Sequence, residues 1–218
     1  YITFIDSDDY INENYLEKML SVMLSDPMIS LVICDENKGR DCGINNREER
    51  YSTKEYMRLC YDCVAQAAWG KLYKHSIISD YKIQVNTRLS LAEDFLFNTQ
   101  YVNSIGDGII AVIYAPLYNY TVRDGSLSNS FRSDYLENNI VALSFLKKCL
   151  NDWNVDKSNW QLYYNLLYKM YEFALANNIY ADGELSIKER IRINNSILKS
   201  DGFKLAQKNT SLNINPIY

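Results

Sequence analysis

Two rhythms of apolar and polar residues alternate along this chain. Short continuous apolar runs at residues 1–5, 29–34 and 109–115 are rich in β-branched and aromatic residues and read as buried strands. Between them, apolar residues recur three and four positions apart. Leu16, Met19, Leu20, Met23 and Leu24 fall on one face of a helix that starts near Asn14 and stops at Pro27. Ser52-Thr53-Lys54-Glu55 has capping-box spacing ahead of Tyr56, Leu59, Cys60 and Cys63. Ser90-Leu91-Ala92-Glu93 repeats it ahead of a helix through about Val102. Residues 35–50 are polar, include Gly39 and Gly43, and read as a loop. Residues 67–73 read as a small-residue turn entering a short element. Pro116 closes the last strand, and Tyr118-Asn119-Tyr120 continues extended.

From Ser133 only the helical rhythm remains. Leu136, Ile140, Leu143, Leu146 and Leu150 mark one helix, and residues 160–176 and 186–198 mark two more. The pattern predicts an α/β fold, with a mixed-sheet region over residues 1–132 and an all-helical region over 133–218.

Composition narrows the class. A chain of 218 residues, 47% hydrophobic and 23% charged, has the balance of a globular protein and not of a disordered one. No window approaches 18 uninterrupted apolar residues, so the sequence encodes no transmembrane helix. Net charge is −4, and Lys and Arg are dispersed, which argues against nucleic acid as a partner. Five cysteines without paired spacing suit a reducing compartment. Cys60-x-x-Cys63 lies on an expected helix with no second pair, and reads as core and not as a zinc or redox motif. His75 has no site context.

Chemistry concentrates at Asp6-Ser7-Asp8-Asp9, three carboxylates within four residues at the end of an expected strand. Such a cluster repels itself unless a cation or hydrogen-bond donors neutralise it. If the backbone stays extended, Asp6 and Asp8 aim the same way. Hard oxygen ligands suit Mg²⁺ or Mn²⁺ shared with a diphosphate. An acidic turn capping the next helix is the simpler alternative. Glu93-Asp94 forms a second acidic pair, and its alternative is a first-turn pair complementing the helix dipole. Trp69 offers a flat apolar face that matches the C–H face of a pyranose, or else is a core residue. Arg123-Asp124-Gly125-Ser126 is a turn with a cation and a hydroxyl.

Four segments together resemble the GT-A-type family-2 glycosyltransferases. Tyr1-Ile2-Thr3-Phe4-Ile5-Asp6-Ser7-Asp8-Asp9-Tyr10 is similar to the family's DxD segment. Trp69-Gly70-Lys71-Leu72-Tyr73 is similar to its Trp-Gly-Lys-Leu-Tyr stretch. Leu91-Ala92-Glu93-Asp94-Phe95 resembles its acidic pair at a helix start, and Tyr120-Thr121-Val122-Arg123-Asp124-Gly125-Ser126-Leu127-Ser128 its closing aromatic and Arg-x-Gly-Ser-x-Ser segment. They stand in the family's order. The resemblance implies a partial GT-A mixed sheet followed by the helical region, and inverting transfer of a sugar from a nucleotide-diphospho-sugar donor. Asp94 would be the catalytic base. Asp8 with Asp6 would hold Mn²⁺ or Mg²⁺, and Asp6, Arg123 and Ser126 would contact the donor. Trp69 and Glu93 would face a saccharide or lipid-linked saccharide acceptor.

The family's nucleotide-binding βαβ units are expected ahead of Tyr1 and are not in this sequence, which also opens without Met. The chain alone is therefore expected to bind nucleotide-sugar poorly, with the activity belonging to the parent protein. Analogy with the family implies cell-surface polysaccharide biosynthesis at the cytoplasmic face of a membrane, with peripheral association. The helical region leaves room for a homodimer face. The alternative is a non-catalytic carbohydrate- or partner-binding module on the same fold.

Overall fold

The computed structural model of the chain describes residues 1–37, 47–59, 67–121, 131–179, 181 and 183–212. Two compact units form. One comprises Tyr1–Thr87 with Glu93–Asp124, the other Arg88–Ala92 with Gly125–Tyr218.

The first unit is a mixed sheet with helices. Its strands are β1 (Tyr10–Ile11), β2 (Ile29–Asn37), β3 (Glu48–Ser52), β4 (Lys71–Tyr73) and β5 (Ile109–Asn119), in the order β1-β5-β2-β4, with β3 also on β5. β5 is long enough to serve three partners. It runs parallel to β2 on one side and antiparallel to β3 and β1, in succession, on the other. It continues through Pro116, where the strand was expected to stop. Pro116 sits opposite Asp35 at a register shift in the β2 ladder, a position where the missing N–H is tolerated.

Other expectations change in the folded chain. Residues 1–5 do not build a regular buried strand. Ile2 bridges Tyr73 and Phe4 bridges Trp69, while Tyr1 and Ile5 are exposed. The neighbour they meet, β4, is only three residues long and offers a short ladder. Part of the expected polar loop is β3, whose Glu-Glu-Arg-Tyr-Ser sequence hides it. Its outer face is charged, as suits a strand with one solvated face.

Helix α1 (Tyr15–Ser25) ends where Pro27 predicts, but a neighbouring stripe faces inward. Tyr15, Met19 and Met23 are buried, whereas Leu16, Leu20 and Leu24 are 54%, 39% and 63% exposed. Tyr15 sets this rotation, because its hydroxyl reaches Thr3 Oγ1 at 2.8 Å and the Lys71 carbonyl at 3.5 Å. The inward row packs with Ile29, Val32, Cys34, Leu72, Ala111, Ile113, Leu117 and Tyr118 in one core.

Ser52 and Glu55 form the expected capping box at the start of α2 (Thr53–Leu59). The Ser52 N–H donates to Glu55 Oε2 at 2.9 Å, and the Glu55 N–H donates to Ser52 Oγ at 3.3 Å. Ser90 does not cap its helix. Its hydroxyl pairs with Asp134 and accepts from Asn138 at 2.9 Å, and α4 begins at Glu93 and runs to Ser104. The short α3 (His75–Asp80) follows β4.

The second unit is helical: α5 (Tyr135–Asp152), α6 (Gln161–Ile179), α7 (Ile187–Lys199) and α8 (Asp201–Asn209). The last of these is absent from the sequence reading, because Asp201-Gly202 looks like a turn. Gly202 has a packing reason. A Cβ there would stand 2.0 Å from the Tyr171 hydroxyl oxygen on α6. Gly202→Ala is therefore expected to cost about 1–3 kcal/mol in chemical denaturation, with much of the loss recovered in a Tyr171→Phe background.

Ser186 and Glu189 cap α7 reciprocally, and the Ser186 hydroxyl and N–H hold the Glu189 carboxyl below its ordinary 4.5. A lowered acid stabilises above its unfolded value and stops doing so as pH falls through the lowered one. Amides at the start of α7 should exchange faster below pH 4.5, and Glu189→Gln should remove that dependence. Among the described residues no helix is long and apolar enough to cross a membrane.

Candidate active site

The acidic segment turns where extended backbone was expected. The Asp9 N–H donates to the Asp6 carbonyl at 3.1 Å, so the alternation argument for Asp6 and Asp8 does not apply. Asp6 and Asp8 are exposed, and Asp9 is half-buried.

The turn is docked onto the end of β5. Tyr118, fully buried, accepts the Asp6 N–H at 3.1 Å and donates to Asp9 Oδ2 at 2.7 Å. The Thr121 N–H donates to Asp9 Oδ1 at 2.8 Å. Both oxygens of Asp9 are thereby occupied, which makes it the anchor of the turn. Burial, joined by the hydrogen bond to Asp9 and the nearby carboxylates, pushes the Tyr118 phenol well above its ordinary range and keeps it a neutral donor. Downstream, Asn12 donates from Nδ2 to the Pro116 carbonyl at 3.0 Å and from its N–H to the Leu117 carbonyl at 2.9 Å.

Asp94 lies in the first turn of α4, and the fold brings it to this acidic turn. Partial desolvation raises the pKa of Asp6 above 3.8, and the charges of Asp9, Asp94 and Asp8 raise it further. Two acidic segments far apart in sequence therefore share one field. Immediately before the pair, Ala92 adopts a left-handed φ of 63°, a conformation an L-residue holds only at a cost.

The Trp-Gly-Lys-Leu-Tyr stretch explains how Asp94 is placed. The Ala68 N–H donates to Asp94 Oδ2 at 3.0 Å. That peptide is fixed from several sides. Asn98 Nδ2 donates to the Ala67 carbonyl at 2.8 Å, and the buried Lys71 ammonium donates to the carbonyls of Ala67 and Trp69. The Tyr73 hydroxyl lies 2.7 Å from Asn98 Oδ1 and 3.1 Å from the Ala68 carbonyl. Gly70 supplies the left-handed φ of 67° that reverses the chain into β4.

Trp69 is half-buried at the rim of the core, its ring stacked on Tyr118 at 4.7 Å and 13° and tilted towards Tyr120 at 6.0 Å. Glu93 opens α4 beside Asp94 and is half-buried. Arg123 and Ser126 lie outside the described residues, as do Cys60 and Cys63.

Sequence reasoning missed Tyr118, Asn98, Tyr73 and Lys71. Asn98 and Lys71 carried a signal, since each is polar within an apolar run and is buried with its polar head on backbone. Tyr118 carried none, being one tyrosine among nineteen.

Among the described residues no group of three or more His, Cys, Asp and Glu side chains is placed to hold a metal alone. The donor chemistry nonetheless fits a hard divalent cation. Mg²⁺ is commonly held by one or two carboxylates, with water and substrate phosphates completing its shell. Asp6 and Asp8 are exposed carboxylates of that type, and each oxygen of Asp9 already accepts a hydrogen bond, from Tyr118 and from Thr121.

No protein-family model matches the chain. It is 26% identical over 154 residues to EpsH of Bacillus subtilis (strain 168), a protein provisionally named a glycosyltransferase, covering 65% of this chain and 43% of EpsH. It is also 26% identical over 158 residues to the glycosyltransferase GlyA of Streptococcus pneumoniae serotype 4, covering 66% of this chain and 22% of GlyA. The chain thus spans less than half the length of these curated relatives. Among solved structures, S. aureus TarS 1–349 in complex with UDP-GlcNAc shares the fold at a TM-score of 0.54 and 16% identity, over 94% of this chain and 66% of that one. TarS 1–349 without that ligand gives a TM-score of 0.50 at 15% identity. The mixed α/β architecture is the one seen in that TarS fragment, and both curated relatives carry glycosyltransferase names.

Proposed function

We propose that this chain is the metal-diphosphate and acceptor portion of an inverting glycosyltransferase of cell-surface polysaccharide biosynthesis. The observation that carries the reading is the convergence of Asp94 with the Asp6–Asp9 turn, whose charges act together on Asp6. The likeness to EpsH and GlyA supports the reaction class, and the UDP-GlcNAc bound by TarS supports a nucleotide-sugar donor.

In this reading Asp94 takes the proton of an acceptor hydroxyl while that oxygen bonds to the anomeric carbon. The bond from that carbon to the diphosphate oxygen breaks with its electron pair, and the configuration inverts. Asp8 with Asp6 would hold Mn²⁺ or Mg²⁺, which when bound would supply Lewis-acid stabilisation of the charge on the departing diphosphate. Ala68 and Asn98 keep Asp94 oriented through the reaction. The family resemblance assigns Trp69 and Glu93 to the acceptor side, and Arg123 and Ser126 to the diphosphate.

The test is transfer by the intact protein. UDP- and GDP-sugars are offered with Mn²⁺ and a saccharide acceptor, and nucleoside diphosphate release and product configuration are followed by NMR. Inverted product supports the reading. Tight glycan binding with no donor turnover across the panel would replace it with a non-catalytic carbohydrate-binding module.

A further inference from the structure

Resting on the reading of the acidic turn as a diphosphate-metal site, we propose that Tyr118 is its positioning residue, the hydroxyl that fixes Asp6 and Asp8 relative to the rigid sheet. The acidic turn Asp6–Asp9 lies between the isolated bridges at Ile2 and Phe4 and the two-residue β1, with no ladder pairing within the turn itself. Tyr118 stands opposite Ile11 of β1 and opposite Glu36 of β2, so its backbone is held from both sides. Its ring is held too, buried and stacked against Trp69.

From that fixed place one hydroxyl makes two different contacts. It accepts the N–H of Asp6, a proposed ligand, and donates to the carboxylate of Asp9 at the far end of the turn. Donor and acceptor capacity are both used, and the two contacts bracket Asp8. A site loosened by an ångström loses much of its function, and a group on a rigid strand is the economical way to prevent that. The role assigned to Tyr118 requires no contact with metal or substrate. Its effect passes through the two ends of the turn, as with outer-shell partners of metal ligands.

The experiment uses the intact protein and Mn²⁺ with UDP, read by calorimetry and by exchange of the Asp6 amide. Tyr118→Phe keeps the ring and its stacking and removes only the hydroxyl. Asp9→Asn alters the same link from the other end. The expected result is a loss of Mn²⁺-dependent UDP affinity of roughly tenfold in each variant. The double variant should be no weaker than the weaker single one, because both act on one bond. The Asp6 amide should exchange faster while core amides stay protected. If the Tyr118→Phe protein keeps wild-type affinity and wild-type Asp6 protection, Tyr118 is only a core residue. If it melts lower with affinity intact, the same conclusion holds. Should Tyr118→Phe fail to fold, Asp9→Asn decides alone by the same two readouts. Wild-type protein that binds UDP without regard to Mn²⁺ overturns both this inference and the reading beneath it.

Discussion

Replacing Asp94 by asparagine is expected to slow sugar transfer by roughly 10²–10⁴-fold, the contribution of a positioned general base. Asparagine keeps a side-chain oxygen for the Ala68 N–H, so the peptide that Asn98 and Lys71 hold in place retains its partner. Thermal stability and donor affinity should therefore stay near wild type while turnover falls. Steady-state transfer rates, a melting curve and calorimetric donor binding together check this. A variant that turns over normally would remove Asp94 from the base role and leave it as a structural acceptor for Ala68.

Replacing Asp8 by alanine should abolish the metal dependence of nucleotide binding. The loss should exceed the roughly 10–100-fold that an altered outer-shell partner costs, since a ligand itself is removed. Titration of UDP and GDP with and without Mn²⁺ measures it directly. Asp8 is exposed and Asp9 anchors the turn, so the fold should persist. Binding that ignores both Mn²⁺ and the substitution would show that the acidic turn serves the fold and not the donor. Asp6→Asn bears on the same site from another side. Its raised pKa means that ionised Asp6 costs stability in full above its folded pKa, and that the cost shrinks as pH falls through that value and is gone below the unfolded 3.8. Asp6→Asn should accordingly melt higher at neutral pH while losing activity, the usual exchange at a strained site.

Much of this was legible before the fold was known, and the failures share a cause. Apolar runs and periodicity placed β2, β5 and the helices α1, α2, α4, α5, α6 and α7, because burial leaves a strong periodic trace, whereas the short α3 and α8 left none. β3 was illegible because a charged solvated face obscured its single inward row. On α1 the expected face holds at Met19 and Met23 and fails at Leu16, Leu20 and Leu24, because two adjacent stripes are apolar and Tyr15, bonded to Thr3 and the Lys71 carbonyl, lies on the buried one. At the candidate site, the sequence displayed the charged residues and concealed the neutral groups that hold them. Asp6, Asp8 and Asp94 stand out as letters, whereas Tyr118 and the Ala68 peptide matter only through tertiary geometry. Ser90-Glu93 shows the converse. The spacing of a capping box was present, but the Ser90 hydroxyl found other partners in Asp134 and Asn138.

The docking of Asp9 onto Thr121 also sets a schedule for synthesis. These residues are separated by 112 positions, and β5 must be complete before either Tyr118 or Thr121 can meet the acidic turn. At about 5–20 residues per second on the ribosome, that interval lasts roughly 6–22 s. For most of it, β2 has been made without its parallel partner, and the Asp9 carboxylate lacks the phenol and amide that later receive it. Non-local pairing of this kind is slow to form, and it leaves an open sheet edge available to other chains in the meantime. The acidic turn is thus made well before the strand that orders it, and the nascent chain is at its most vulnerable to misassociation until β5 is complete.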